Sequence, residues 1–148
     1  MISLGSDHGG YELKEEIKKY LDEIGIEYKD YGTDSKERTD YPIFAERVAK
    51  SIQSKECDRG ILICKSGAGM TIVANKFKGI RAALGINEEV AMASKADDNI
   101  NVVVLPAQYI TLSSAIATIR AWIATEFKGG RYLERLQMIK EIEKDNMK

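Results

Sequence analysis

Cys64, Ser66, Gly67, Ala68 and Gly69 form the chain's densest chemical grouping, within residues 60–72, GILICKSGAGMTI. The apolar run at residues 61–63 has the length of a buried parallel strand. Cys64 ends that run, a glycine turn follows, and residues 70–77 read as a helix. Open α/β sheets bind ligands at this place, just past the carboxyl ends of their strands. The unpaired N–H groups of such a turn and of the first helical residues favour negative charge. They could hold a phosphate or a developing enediolate, or lower the pKa of Cys64 so that it acts as a thiolate. The competing reading is a core cysteine at a strand end, with glycines that only shape the turn.

Several familiar sites do not fit. A phosphate-cradling GxxxxGK[ST] loop needs lysine after its last glycine, and Met70 follows Gly69. A dinucleotide GxGxxG would need glycine at Ile72. A cysteine phosphatase needs an arginine where Met70 stands, so a base is the more natural role for Cys64. One histidine and two separated cysteines do not supply zinc spacing, and no serine sits in a GxSxG elbow. Neither a metal nor an organic cofactor is expected.

Three further groups could carry chemistry. Asp7-His8 follows the first strand, and His8 is the only histidine. Asp97-Asp98-Asn99 precedes the fifth strand, where it could equally just turn the chain. Arg131 and Arg135 are four residues apart, hence on one helical face. Two guanidinium groups placed so suit a phosphate ester, and a solvated basic face is the plainer alternative.

The elements that must position these residues follow from the pattern. Ile2–Ser6 reads as the first strand. Leu13, Ile17, Leu21 and Ile24 mark a helix that Gly25 ends. Residues 26–31 form a second strand, and Pro42 opens a helix with Phe44, Val48 and Ile52 on its apolar stripe. After the 61–64 strand and the 70–77 helix come a strand at 80–84, a helix at 88–96 capped by Asn87, and a strand at 101–105. Leu112, Ile116, Ile119, Ile123 and Phe127 mark a long amphipathic helix, and residues 131–145 a last, highly charged one. Five strand-then-helix units predict an α/β fold with helices on both faces of a parallel sheet, as one domain over residues 1–148.

With 148 residues the chain can bury a sizeable core without disulfides. A net charge of −1 gives no reason to expect nucleic acid or an anionic membrane as partner. The chain opens on a strand-like segment and holds no apolar run of spanning length. Two cysteines are no disulfide framework, so a cytoplasmic location is expected.

Taken jointly, these motifs resemble the type B ribose-5-phosphate isomerases and the related galactose-6-phosphate isomerase subunits. The likeness runs through Gly5-Ser6-Asp7-His8-Gly9-Gly10, Asp40-Tyr41-Pro42, residues 60–64 with Ser66-Gly67-Ala68-Gly69-Met70, and Ala74-Asn75-Lys76. It continues in Gly79-Ile80-Arg81-Ala82-Ala83, Asn101-Val102 and Gly129-Gly130-Arg131 with Arg135. The resemblance implies a three-layer α/β/α sandwich, Rossmann-like, whose five parallel strands run in the order 2-1-3-5-4. It implies a homodimer or dimer of dimers with active sites shared between subunits, and metal-free aldose–ketose isomerisation of a sugar phosphate through a cis-enediolate. Carried over by position, Cys64 moves the proton between C1 and C2, Ser66 assists, and backbone N–H groups from Lys65 through Gly67, Ala68 and Gly69 hold the enediolate oxygens. Asp7 and His8 contact the sugar, and Arg131 and Arg135 bind the phosphate.

Three positions depart from that family's pattern. Lys65 stands where glycine usually follows the cysteine. Asp97 replaces the histidine that opens the sugar ring, with Asp98 in place of the neighbouring asparagine. Pro106-Ala107-Gln108 replaces a Gly-Ala-Arg run, which removes a phosphate contact at Gln108. The expected substrate pair is ribose 5-phosphate and ribulose 5-phosphate. The alternatives are galactose or allose 6-phosphate, erythrose 4-phosphate, or a non-catalytic sugar-phosphate-binding subunit.

Overall fold

A computed structural model describes residues 1–147; Lys148, the last residue of the expected domain, lies outside the described residues. Five parallel strands are β1 (Ile2–Ser6), β2 (Tyr28–Asp30), β3 (Arg59–Cys64), β4 (Ala82–Leu84) and β5 (Val102–Pro106). They form one sheet in the order β2-β1-β3-β5-β4, as the resemblance implied. Six helices alternate with and follow them: α1 (Tyr11–Glu23), α2 (Tyr41–Gln53), α3 (Ala68–Ala74), α4 (Glu88–Asp98), α5 (Leu112–Ala124) and α6 (Arg131–Asn146).

The alternation of strand side chains creates two cores. Ile2, Leu4, Ile61, Ile63, Val103 and Leu105 pack with α1 and α5 on one face. Leu62, Cys64, Val102 and Val104 pack with α2 and α3 on the other. α2 packs directly on the backbone of β1 and β3, which present Ser3, Gly5 and Gly60 to it. A Cβ on Gly5 or Gly60 would strike Val48. Ser51 of α2 donates to the Ser3 hydroxyl at 2.8 Å, which satisfies both groups in the core.

Several boundaries differ from the sequence reading. α3 begins at Ala68 rather than Met70, because Gly67 takes φ +82° and caps it. It stops at Ala74, since the Asn75 side chain turns to the β4 backbone and pairs with both N–H and C=O of Ala82 at 2.9 Å. β4 therefore starts at Ala82, not Ile80, and β2 is only three residues long. α4 extends to Asp98, which places Asp97 and Asp98 in its last turn, before Asn99 adopts φ +46°. α5 ends at Ala124 and excludes Phe127. Its buried face is Ala115, Thr118, Ile119 and Trp122; Ile119 is buried as expected, and Ile116 and Ile123 of the expected stripe pack at the edge of the same core. Trp122 anchors that face: its indole N–H donates to the Ile100 carbonyl at 3.3 Å. Ile24, expected in the core, is exposed past the end of α1. α6 buries none of its described residues and carries Leu133, Met138, Ile139 and Ile142 uncovered.

Lys14 is the one lysine fully enclosed by the described residues. Its ammonium pairs with Asp30 of β2, which also receives Lys18 at 2.9 Å and the Gly32 N–H at 2.8 Å. Those donors hold the Asp30 carboxyl below its usual value against the opposing effect of burial. Asp30→Asn is expected to destabilise the fold by about 3 kcal/mol, because it strands a buried cation. The sign for pH follows from the lowered carboxyl: the contribution is full above the unfolded carboxylate pKa and is lost as pH falls through the folded one. Urea denaturation of wild type and variant at neutral pH measures the first effect, and repeating it in acid measures the second.

Candidate active site

The parallel topology sorts the expected site residues to two opposite rims of the sheet. Asp7 and His8 follow β1, and Cys64 closes β3. The segment after β5 flanks them: the Ala107 N–H donates to the Cys64 carbonyl at 2.8 Å, and that of Gln108 to the Lys65 carbonyl at 3.0 Å. Lys65, Ser66, Gly67, Ala68 and Gly69 complete this upper rim. Asp97 and Asp98 end α4 before β5 begins, so they lie at the lower rim. Arg131 and Arg135 join them there, because the Lys128 N–H donates to the Ala96 carbonyl at 2.9 Å just before α6 starts. β5 alone separates the rims by roughly 13 Å at ~3.3 Å per residue.

At the upper rim Cys64 is buried, only 5 % exposed. Backbone N–H groups of Met70, Gly67 and Ser66 face its sulfur. Their convergence requires the Gly67 geometry, and a side chain there would also strike Leu84. The Ser66 hydroxyl accepts from the Ala68 N–H at 3.3 Å. Asp7 caps the short turn His8–Gly10, its carboxylate accepting from the Gly9 N–H at 3.0 Å. His8 and Thr39 clasp each other: the His8 N–H donates to the Thr39 hydroxyl at 3.0 Å, and the Thr39 N–H to His8 Nδ1 at 3.1 Å. With Nδ1 an acceptor, the neutral ring carries its proton on Nε2, which remains free to donate to a ligand.

Two residues of this rim were given no role from the sequence. Tyr41 stacks directly over Gly69, where any Cβ would collide with its ring. Thr39 orients His8. Pro42 signalled only a helix start there, and nothing in the spacing tied Tyr41 to a turn 28 residues later. At the lower rim Lys128 forms an ion pair with Asp97 at 2.9 Å, though its angles fall short of a hydrogen bond. Arg131 and Arg135 flank Tyr132, their guanidinium carbons 5.4 and 5.2 Å from the ring centroid.

Cys64 departs from expectation in one respect. Burial pushes its thiol above the ordinary value, the Met70, Gly67 and Ser66 N–H groups oppose this, and the Asp7 carboxylate adds to the rise. Of these effects burial is the largest, and the N–H groups of the turn do not outweigh it. The thiolate fraction grows as pH rises toward a raised pKa. Iodoacetamide labelling of Cys64 is therefore expected to keep accelerating past the ordinary thiol pKa of about 8.5. Asp7→Asn is expected to move the profile to lower pH. A rate already level below pH 7 would contradict both.

The family model for ribose/galactose isomerases matches residues 2–139. The chain is 42% identical over 142 residues to ribose-5-phosphate isomerase B of Escherichia coli, covering 96% of this chain and 95% of that one. The solved structure of the Clostridium thermocellum ribose-5-phosphate isomerase B superposes with a TM-score of 0.96 at 44% identity, covering 97% of both chains. That of the Mycoplasma genitalium enzyme with bound ribulose-5-phosphate gives 0.93 at 35% identity, covering 98% of this chain and 97% of that one. With the five-strand order, the strand-end cysteine and the glycine turn all in place, the chain belongs to the ribose/galactose isomerase family.

Proposed function

We propose that the chain is an aldose–ketose isomerase of sugar phosphates, with ribose 5-phosphate and ribulose 5-phosphate as its pair. The observation that carries this reading is Cys64: a thiol at the end of the central strand, with backbone N–H groups converging on it. As a thiolate, Cys64 takes the C2 proton of the open-chain aldose, and the electron pair moves toward O1 to give a cis-enediolate. Cys64 then gives that proton, or one exchanged with solvent, to C1, while the proton of the C2 hydroxyl passes to O1 and the electron pair settles as the C2 carbonyl. No external oxidant or reductant is needed. Ser66 and the N–H groups of residues 65–69 stabilise the negative oxygens, which become strong acceptors only as charge develops. Asp7 and the Nε2–H of His8 hold sugar hydroxyls.

In this proposal Arg131 and Arg135 bind the phosphate from a second copy of the chain. What supports it is their place on the rim opposite Cys64, together with the uncovered apolar side chains of α6. Two unpaired cysteines fit a reducing compartment, and the proposal places the reaction in the cytoplasm. Among the described residues, no helix is long and apolar enough to cross a membrane. A four-carbon substrate is the second reading, favoured by one observation: Asp97 is engaged by Lys128. A four-carbon aldose esterified at O4 cannot close a furanose ring, and so needs no opening group.

Ketose formation from four-, five- and six-carbon aldose phosphates by the purified chain tests the substrate. The highest kcat/KM is expected with ribose 5-phosphate, and a strong preference for erythrose 4-phosphate would establish the second reading instead. Mixing Cys64→Ala chains with Arg131→Ala chains tests the shared site. Each alone is expected to be inactive, and each mixed dimer, with one intact site of its two, to recover up to about half of the wild-type activity per dimer. No recovery in verified mixed dimers would overturn the sharing.

A further inference from the structure

At the lower rim one phenol stands among three cations and a carboxylate. The Lys128 ammonium lies 4.9 Å from the Tyr132 ring centroid. Arg131 and Arg135 approach the same ring at 5.4 and 5.2 Å. Lys128 also reaches Asp97 at 2.9 Å, so the carboxylate and the phenol are joined through one ammonium. The arrangement is fixed by backbone: Gly129 and Gly130 take φ +70° and +56°, and the Tyr132 N–H donates to the Gly129 carbonyl at 3.0 Å. Arg131 first and Lys128 second draw the phenol below its ordinary pKa, since both stabilise the phenolate. Tyr132 is thus a proton donor in contact with both arginines that suit a phosphate.

Chemistry says what such a donor would serve. An aldose esterified at O5 closes into a furanose, and its C2 proton is not acidic until the C1 carbonyl is free. The ring oxygen is separated from the phosphorylated oxygen only by C5 and C4. A group beside the phosphate is therefore beside the ring oxygen too. Resting on the sugar-phosphate reading above, we propose that Tyr132 is the acid of ring opening, with Asp97 as its base. The Tyr132 hydroxyl gives its proton to the ring oxygen as the C1–O4 bond breaks. Asp97 takes the proton of the anomeric hydroxyl as the C1=O bond forms. Proton return from Asp97 to the Tyr132 phenolate, through solvent, resets the pair. Lys128 holds both groups in register.

The direction of reaction separates this role from others. Ribulose 5-phosphate cannot close a furanose, because its O5 is esterified, so deprotonation at its C1 needs no opening. Tyr132→Phe keeps the ring and its cation contacts but removes the proton. It is expected to lower kcat for ribose 5-phosphate by about 10²-fold, the scale of a lost general acid. The exchange of the ribulose 5-phosphate C1 proton with deuterium oxide is expected to fall by less than about threefold, and Tyr132→His to restore part of the lost kcat. Equal losses in both measurements would overturn the proposal, as would no loss in either. A wild-type chain that exchanges protons on neither sugar would overturn the isomerase reading, and this proposal with it.

Discussion

A parallel sheet allows chemistry at the end of a strand and separates it from whatever comes before the next one. Each helix must carry the chain back along the sheet, so residues following strands gather at one rim and residues preceding them at the other. Here that rule puts Cys64, Asp7 and His8 together and sends Asp97, Arg131 and Arg135 to the far side. Everything else about function depends on how the two rims meet. A single chain holds Cys64 and the Arg131–Arg135 pair too far apart for one small ester to touch both. The apolar side chains of α6 next to the arginines are uncovered.

The upper rim is a balance between burial and polarity. The same close packing that seats β3 against α2 and α3 takes Cys64 out of water and disfavours its thiolate. The glycine turn acts in the opposite direction, bringing N–H groups to the sulfur without side chains in the way. Tyr41 closes the turn from above and needs Gly69 to do so. A base with a raised pKa takes a proton more strongly once ionised, which suits a weakly acidic carbon.

Much of this was legible in the chain. Apolar runs at residues 61–63 and 102–105 are continuous because both faces of those strands are covered, and continuity betrays a parallel sheet. Asn87 was recognisable as a cap, and its side chain accepts from the Val90 N–H at 2.8 Å. Cys64 stood out because it closes an apolar run and meets glycines at once. What stayed hidden depended on distant partners. The end of α3 is set by Asn75 clasping Ala82, and the buried face of α5 by one tryptophan finding the Ile100 carbonyl. Tyr41 belongs to the site only through its contact with Gly69. The raised thiol pKa could not be read locally either, since a strand-end position says nothing of how much water the sulfur loses.

The central claim is that Cys64 moves the proton between C2 and C1. Ribose 5-phosphate carrying deuterium at C2, followed by NMR in ordinary water, measures this directly. Wild type is expected to release the label from C2, passing part of it to C1 of ribulose 5-phosphate. Cys64→Ala is expected to bind the sugar phosphate yet lose label at least about 10²-fold more slowly. Release of label from C2 at a near wild-type rate by Cys64→Ala would contradict the account.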